Sequence, residues 1–262
     1  MRWGILGPGR ISRQFLTGLA GSSTEHAVAV GSRDRDRARA VATEFGVDRA
    51  HGSYEELLAD DAVEAVYVGT PNAAHGPWAI AAARAGKHVL CEKPLGVSRA
   101  EAEQMFAVAR EQGVWLMEAF MYRFHPRTRK LTELVAAGDI GAPTLVRASF
   151  GFAVADRGNV RLSADLAGGA LMDVGCYPVN AARMLAGPVA AATASARWQD
   201  VDVTLAGVLD HTGGALSVIS CSLVSGRHNV LQVVGTDGVI DVPAAFTPPK
   251  DQVSHLVVTR GT

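Results

Sequence analysis

Short apolar runs alternate with amphipathic segments along the first 118 residues, and this alternation restricts the chain to few folds. Each run has the length of a buried strand, and the segments between them have helical periodicity. The runs are Trp3–Leu6, Ala27–Gly31, Ala62–Gly69, Lys87–Glu92 and Val114–Glu118. Strands that alternate with helices form a parallel sheet with helices on both faces. The rhythm predicts an α/β domain over residues 1–118, built on a doubly wound parallel sheet.

A glycine turn joins the first apolar run to the first amphipathic segment. Gly7 allows a tight turn, and Gly9 lets a pyrophosphate approach the backbone. The helix that opens at Arg10 and Ile11 supplies free N–H groups for phosphate. Ser12 replaces the third glycine of the dinucleotide fingerprint but is small enough for close packing of helix and strand. The context of strand, turn and helix predicts a Rossmann domain that binds a dinucleotide.

The tip of the second strand bears on the choice between NAD and NADP. An NAD-binding domain places a carboxylate there, on the adenosine ribose 2′-OH. Here Ser32 and Arg33 occupy the tip, and a hydroxyl with a guanidinium suits a 2′-phosphate. NADP is therefore favoured, with NAD possible. In the alternative, Arg33 is a solvated turn residue and Asp34, otherwise the N-cap of the next helix, binds the ribose.

The apolar run Lys87–Glu92 leads into a charged pair followed by proline. Pro94 fixes its own φ and keeps Lys93 out of the helical region. Glu92 and Lys93 would thus be held at the carboxyl edge of the sheet, where ligands bind in open α/β folds. An ordinary solvated turn is the alternative.

A second polar loop is predicted at the same edge. Thr70, Pro71 and Asn72 follow a buried strand, and His75 stands before an alanine-rich helix. Asn72 can cap that helix while facing the crevice, and His75 can reach the cofactor. Without the neighbouring motifs, the two residues would be a helix cap and a surface position.

From residue 119 the pattern changes to longer alternating strands separated by glycine-bearing turns. The predicted strands are Val146–Val154, Ala192–Trp198, Val203–Asp210, Ala215–Leu223, Val230–Val234 and Val239–Val242. Residues 119–262 are therefore predicted to form a second, α+β domain with a mostly antiparallel sheet. Such a domain suits substrate binding and oligomerisation.

Two polar residues follow a glycine pair in this second half. Asp173 and Tyr177 are spaced i, i+4, which places them on one face of a helix that opens after Gly168 and Gly169. Pro178 is tolerated there if it lies in the first turn. A carboxylate and a phenol together suit proton transfer to a hydroxyl or carbonyl. The alternative is a helix cap beside a packed tyrosine.

Composition excludes several classes of function. The net charge of −1 and the scattered 25 basic residues leave no footprint for nucleic acid or an anionic membrane. Three cysteines without CxxC spacing predict reduced thiols in a cytoplasmic protein and no metal site. A strand that begins at Arg2 leaves no room for a signal peptide, and no apolar run reaches the roughly 18 residues of a membrane span.

With these motifs together, the chain resembles the Gfo/Idh/MocA oxidoreductase family over nearly its whole length. The motifs are Gly7-Pro8-Gly9, Thr70-Pro71-Asn72 with His75, Glu92-Lys93-Pro94 and Gly168–Tyr177. The resemblance implies a Rossmann domain, an open-faced β-sheet domain and a nicotinamide cofactor. Many members carry histidine at the position of Tyr177. Tyrosine there, like the stretch Met117–Pro126, resembles the branch of dihydrodiol dehydrogenase, D-xylose dehydrogenase and glucose-fructose oxidoreductase.

The resemblance also implies roles for individual residues. Lys93 would lie beside the nicotinamide and the substrate oxygen, Tyr177 would act as general acid/base, and Asp173 would orient the substrate. Arg123, within the branch-like stretch, is a further candidate for substrate binding. Family members usually run some sixty or more residues further, so we expect either that the sequence is truncated or that the second domain is short at its carboxyl end.

The sequence therefore predicts an NADP-dependent oxidoreductase that interconverts a hydroxyl and a carbonyl on a sugar or a dihydrodiol. Two other classes stay open: a regulator that senses NADP without turnover, and an NAD-using glycoside hydrolase. Retention of Lys93 and Tyr177 disfavours the first, and the Ser32-Arg33 tip disfavours the second. An exposed sheet face in so apolar a chain predicts a homodimer or higher homo-oligomer.

Overall fold

A computed structural model describes residues 1–249 and 253–261. The chain forms two compact units, the first covering Met1–Ala119 and the second beginning at Phe120. Positions 250–252 and 262, which belong to the predicted second domain, lie outside the described residues. Within the described residues, no helix is long and apolar enough to cross a membrane.

The first unit contains a six-stranded sheet in which every pair of neighbouring strands is parallel. The strands are β1 (Arg2–Leu6), β2 (His26–Gly31), β3 (Arg49–His51), β4 (Ala65–Val68), β5 (His88–Cys91) and β6 (Leu116–Glu118). Their order is β3-β2-β1-β4-β5-β6, the doubly wound order of a Rossmann fold. The predicted fold class is confirmed. Only β3, three residues without an apolar run, has no counterpart among the strands assigned from sequence.

Five helices connect these strands, and their starts follow local capping chemistry. They are α1 (Arg10–Ala20), α2 (Arg35–Phe45), α3 (Tyr54–Leu58), α4 (His75–Arg84) and α5 (Arg99–Glu111). Asp34, Ser53 and Ser98 cap α2, α3 and α5 by accepting hydrogen bonds from first-turn N–H groups. Apolar side chains of the central strands are fully buried between helices. The central strands therefore hold their register by burial on both faces.

The second unit contains a seven-stranded sheet. Its strands are β7 (Pro143–Ala153), β8 (Val189–Trp198), β9 (Asp202–His211), β10 (Leu216–Ser222), β11 (Val224–Gly235), β12 (Gly238–Pro243) and β13 (Val257–Arg260). The order is β13-β12-β11-β7-β10-β9-β8, and only the β7–β10 pair is parallel among the described strands. The mostly antiparallel sheet was predicted, whereas β13 was not.

Two helices cover one face of this second sheet. They are α6 (Pro126–Ala136) and α7 (Cys176–Ala186), and α7 packs on β7 and β10. Beneath α7 lies a core rich in aromatic rings. On the opposite face, every second side chain of a strand points to solvent. In β10, Leu216 and Val218 are exposed, whereas Ser217 and Ile219 are buried. One face is thus open, as the family resemblance implies.

Candidate active site

The turn after β1 has the geometry that phosphate binding requires. Gly7 has a φ of +88°, and a Cβ there would lie 3.2 Å from the Gly69 carbonyl oxygen. Gly9 is the N-cap of α1 and no side chain caps that helix, which leaves its first N–H groups for a ligand. Ser12 is fully buried, and its Oγ donates to the Gly7 carbonyl at 2.6 Å. Serine in place of the third glycine therefore closes the turn rather than disrupting it.

A polar atom without a protein partner lies next to this turn. The Oγ1 of Thr70 is buried, and within the described residues it makes no hydrogen bond. Its Cγ2 would stand 3.2 Å from a Cβ on Gly7, so the threonine and the glycine turn line the same place. Buried hydroxyls are rarely left unsatisfied, and an absent ligand explains such an atom. A dinucleotide phosphate or ribose fits this cradle.

At the tip of β2, the carboxylate that could have bound a ribose is already engaged. Asp34 caps α2, accepting hydrogen bonds from the N–H groups of Asp36 at 3.0 Å and Arg37 at 3.1 Å. Ser32 is buried and accepts from the Asp34 N–H, while Arg33 is exposed. The alternative in which Asp34 swings to the ribose would break this cap, which costs about 0.5–2 kcal/mol.

The loop after β5 holds Lys93 between several fixed contacts. Glu92 accepts a 2.6 Å hydrogen bond from the Tyr67 hydroxyl and another from the Lys93 N–H. The Lys93–Pro94 peptide is cis. Beyond it, the Leu95 N–H donates to Glu118 at 2.8 Å. Lys93 therefore projects from a braced loop at the carboxyl edge of the sheet, not from a loose solvated turn.

His75 joins the two polar loops of this edge. It is 1% exposed, and its ring nitrogens lie 2.7 Å from the Pro94 oxygen and 2.9 Å from the Thr70 oxygen. Burial lowers the pKa of His75, and a neutral ring can donate to only one of the two carbonyls at a time. The histidine is not on the helix surface.

The predicted cap at Asn72 is not formed. A 3₁₀ helix begins there after Pro71, and α4 starts at His75 with Ala74 as its N-cap and no side-chain cap. Asn72 therefore lies inside the 3₁₀ turn, two positions before Ala74, the residue that takes the N-cap position of α4.

In the second unit, Tyr177 stands in an aromatic cage. Its ring is 7% exposed, and four aromatic rings surround it with centroids 5.3 to 5.9 Å away. They belong to Phe120, Tyr122, Phe150 and Phe246. The hydroxyl lies 3.8 Å from Met121 Sδ. The cage fixes the ring, and a phenol held this way has a defined direction for its O–H.

Asp173 lies in a wider helical turn than the one predicted. Residues Leu171–Gly175 form a π-helical turn, and α7 begins only at Cys176, with Pro178 in its first turn as expected. The carboxylate accepts a 2.7 Å hydrogen bond from Arg161 Nε. Such π-turns occur often at functional sites. Arg123 is exposed on the 3₁₀ helix Met121–Phe124.

Sequence reasoning did not identify three supporting residues: Tyr67, Arg161 and Asp202. Asp202 Oδ2 accepts the Leu171 N–H at 2.7 Å, and burial raises the pKa of this carboxyl. The glycine pair was the available signal, because a Cβ on Gly169 would lie 2.1 Å from Asp202 Oδ1. Glycines mark a close approach, but they do not name the approaching residue.

Family models match both units. Residues 1–120 match an oxidoreductase family with an NAD-binding Rossmann fold, and residues 128–241 match the GFO/IDH/MocA C-terminal domain. The chain belongs to the Gfo/Idh/MocA oxidoreductase family. The uncapped α1, the glycine turn and the buried Thr70 hydroxyl all lie within the residues that match the Rossmann model.

Two curated relatives are similar over most of their length. A D-xylose 1-dehydrogenase (NADP⁺) of Haloferax volcanii is 44% identical over 260 residues, which cover 98% of this chain and 80% of the relative. A trans-1,2-dihydrobenzene-1,2-diol dehydrogenase of Mus musculus is 39% identical over 256 residues, covering 95% and 76%.

Solved structures of the family superpose closely on the chain. The 3-ketoreductase KijD10 of Actinomadura kijaniata, in complex with NADP and TDP-benzene, has a TM-score of 0.93 at 35% identity, covering 99% of this chain and 81% of the other. An aldose-aldose oxidoreductase of Caulobacter crescentus, complexed with glycerol, has a TM-score of 0.91 at 29% identity, covering 99% and 80%.

Proposed function

We propose that this Gfo/Idh/MocA protein is an NADP-dependent oxidoreductase that interconverts a hydroxyl and a carbonyl on a sugar or a dihydrodiol. The observation that carries the proposal is the 44% identity, over 98% of the chain, to an NADP⁺-dependent xylose dehydrogenase. The similar proteins named a dihydrodiol dehydrogenase and a 3-ketoreductase, the second solved with NADP, support the same reaction class.

The residues proposed to hold NADP line the carboxyl edge of the first sheet. The α1 N-terminus at Arg10 and Ile11, with Gly7 and Gly9, would bind the pyrophosphate. Thr70 would supply its unsatisfied hydroxyl. The other proposed contacts come from the β2 tip and from the loops after β4 and β5: Ser32, Arg33, Pro71, Asn72, Glu92 and Lys93. When bound, the cofactor supplies or accepts the hydride.

His75 has a supporting role in this proposal. Its ring is buried against two backbone carbonyls, so it would act on the cofactor by fixing the Thr70 and Pro94 loops. Rigid second-layer support of this kind keeps binding groups in productive geometry.

We assign proton transfer to and from the substrate oxygen to Tyr177. Its phenol would donate to the substrate oxygen during reduction and take the proton back during oxidation. Lys93 would hydrogen-bond the same oxygen and favour the phenolate by its charge. Asp173 would accept a hydrogen bond from a neighbouring substrate hydroxyl, and Arg123 is the proposed outer contact of the substrate. No described group of three or more His, Cys, Asp or Glu residues could hold a metal ion.

The two other classes are less well supported. A non-catalytic NADP sensor would have no use for a caged phenol together with a braced lysine. A hydrolase that retains NAD would favour a free carboxylate at the β2 tip, whereas Asp34 is engaged in the α2 cap.

The test is a substrate panel with the wild-type protein. Aldoses and dihydrodiols are supplied with NADP⁺, and ketosugars with NADPH, while NADPH absorbance is followed. We expect turnover with at least one polyol or diol and a preference for NADP over NAD. An NADPH absorbance change that is absent with Lys93→Met would attribute the turnover to this site. If no substrate of the panel is turned over, the proposed function is rejected.

We also propose that the protein is a cytoplasmic homodimer assembled through the open face of the second sheet. Val208 and Val218 are cross-strand neighbours on that face and are 41% and 46% exposed. Leu216 and Val230 extend the apolar surface. A second copy packed on this face would remove these apolar side chains from water. The three free thiols, two of them buried, suit a reducing compartment.

A further inference from the structure

The Gly168–Tyr177 motif is held in place by a residue that precedes it. Arg161 lies in a short 3₁₀ helix, Val160–Leu162, whose N-cap Asn159 accepts the Arg161 N–H. The Arg161 side chain reaches Asp173, with Nε 2.7 Å from Oδ2. A charge-assisted hydrogen bond of this length is about twice as strong as a neutral one.

Both partners of this ion pair are in fixed surroundings. The Asp173 side chain is 9% exposed and that of Arg161 is 35% exposed. The guanidinium also lies 5.9 Å from the centroid of Phe152, and its Nη1 is 3.4 Å from Asn159 Oδ1. A carboxylate so deeply buried needs a cationic partner, because an unpaired buried charge is strongly destabilising.

Gly168 allows the backbone of this arginine to approach the loop closely. The Gly169 N–H donates to the Arg161 carbonyl at 2.8 Å, and a Cβ on Gly168 would lie only 2.4 Å from that oxygen. The Asp173 N–H in turn donates to the Gly169 oxygen at 3.0 Å. The backbone and the side chain of Arg161 therefore clamp the same loop from which Asp173 projects.

We propose that Arg161 is a positioning residue for catalysis: it holds the Asp173 carboxylate in one orientation toward the substrate. The inference rests on the proposed function, in which Asp173 binds a substrate hydroxyl. Because the arginine acts through Asp173, its loss should not affect the cofactor directly. A misplacement of about 1 Å at such a group can cost about 10²-fold in rate.

The experiment removes the guanidinium and supplies it again. Arg161→Ala should lower kcat/KM for the sugar or diol by about 10²-fold while NADP affinity is unchanged. Guanidinium ion at non-denaturing concentration should restore part of the activity, since the partly exposed side chain leaves a path to the vacated position. Arg161→Lys, which keeps charge without the planar fork, should recover only part of the rate.

Two comparisons make the result specific. Arg260→Ala removes another Arg–Asp pair of the second unit, 2.8 Å from Asp139, and should neither lower the rate nor respond to guanidinium. In an Asp173→Asn background, Arg161→Ala should cause no further loss. If Arg161→Ala does not fold, the Lys variant in both backgrounds gives the same cycle.

The outcomes separate the two proposals. A wild type inactive across the panel rejects the proposed function and this inference with it. An active wild type with near-normal Arg161→Ala, with losses that add to those of Asp173→Asn, or without rescue by guanidinium overturns the inference alone.

Discussion

At the scale of single residues, cofactor choice depends on what occupies the end of β2. Asp34 is engaged in the α2 cap, and the exposed Arg33 is the residue proposed to meet a 2′-phosphate. We expect Arg33→Ala to weaken NADP by about 1.5–3 kcal/mol, the range of a hydrogen bond to a charged group, and NAD much less.

Fluorescence titration of both cofactors against wild type and Arg33→Ala measures this difference. Arg129→Ala, an exposed arginine of the second unit, is the control. Equal losses for NADP and NAD would show that Arg33 does not read the 2′-phosphate.

At the scale of elements, His75 ties the loop after β4 to the loop after β5. Burial lowers its pKa below the ordinary value of 6.5, more strongly than the two carbonyls and Glu92 raise it. Below that ordinary value, the unfolded chain takes up a proton that the folded chain does not. His75 therefore makes the free energy of unfolding rise with pH between its lowered pKa and 6.5. Acidification through this range removes that stability.

His75→Gln should remove this contribution to the pH dependence. Urea unfolding of wild type and variant at about pH 7.5 and about pH 5.5 gives the comparison, and the stability gap between them should narrow at the lower pH. His26→Gln, at an exposed position, should leave the wild-type dependence intact. Parallel behaviour of wild type and His75→Gln would contradict the assignment.

The elements themselves were largely predictable, because periodicity and capping are local. Asp34 caps α2 as predicted, and the strand ends place Gly7, Thr70 and Lys93 at one sheet edge. The failures have physical causes. The strand β3 has no apolar run, and Asn72 opens a 3₁₀ turn instead of capping α4.

Contacts between residues that lie far apart in the sequence could not be predicted from it. Tyr67 holds Glu92 across 25 positions, and Asp202 holds Leu171 across 31. Such contacts depend on strand register and loop path, which a single sequence does not reveal. Even the helix at Asp173, predicted from an i, i+4 spacing, opens with a π-turn. Gly175, at the end of that turn, packs against Cys221, and a Cβ there would lie 2.7 Å from Sγ.

At the scale of the whole molecule, the open face of the second sheet determines the proposed assembly. Val218 is central on that face, with Val208 beside it on β9 and Arg147 on β7. We expect Val218→Glu to convert the proposed dimer to a monomer, because the cost of burying the new carboxylate in the interface outweighs its attraction to Arg147. Light scattering at micromolar concentration reads the mass.

Val97→Glu provides the matched control, since Val97 is similarly exposed, at 41%, but lies in the first unit. It should remain dimeric. A wild-type protein that is monomeric would refute the assembly, and a dimeric Val218→Glu would place the interface elsewhere.

In the proposed reaction, Tyr177 exchanges the proton with the substrate oxygen and Lys93 supports that exchange. A double-mutant cycle on kcat/KM with the best substrate of the panel measures this directly. Tyr177→Phe should lose about 10²–10⁴-fold while NADP binding is preserved, and Lys93→Met should lose at least as much. The double variant should be no worse than the poorer single one, because each residue acts through the other. Near-full activity of Tyr177→Phe, or losses of the two single variants that simply multiply in the double variant, would contradict these roles of Tyr177 and Lys93.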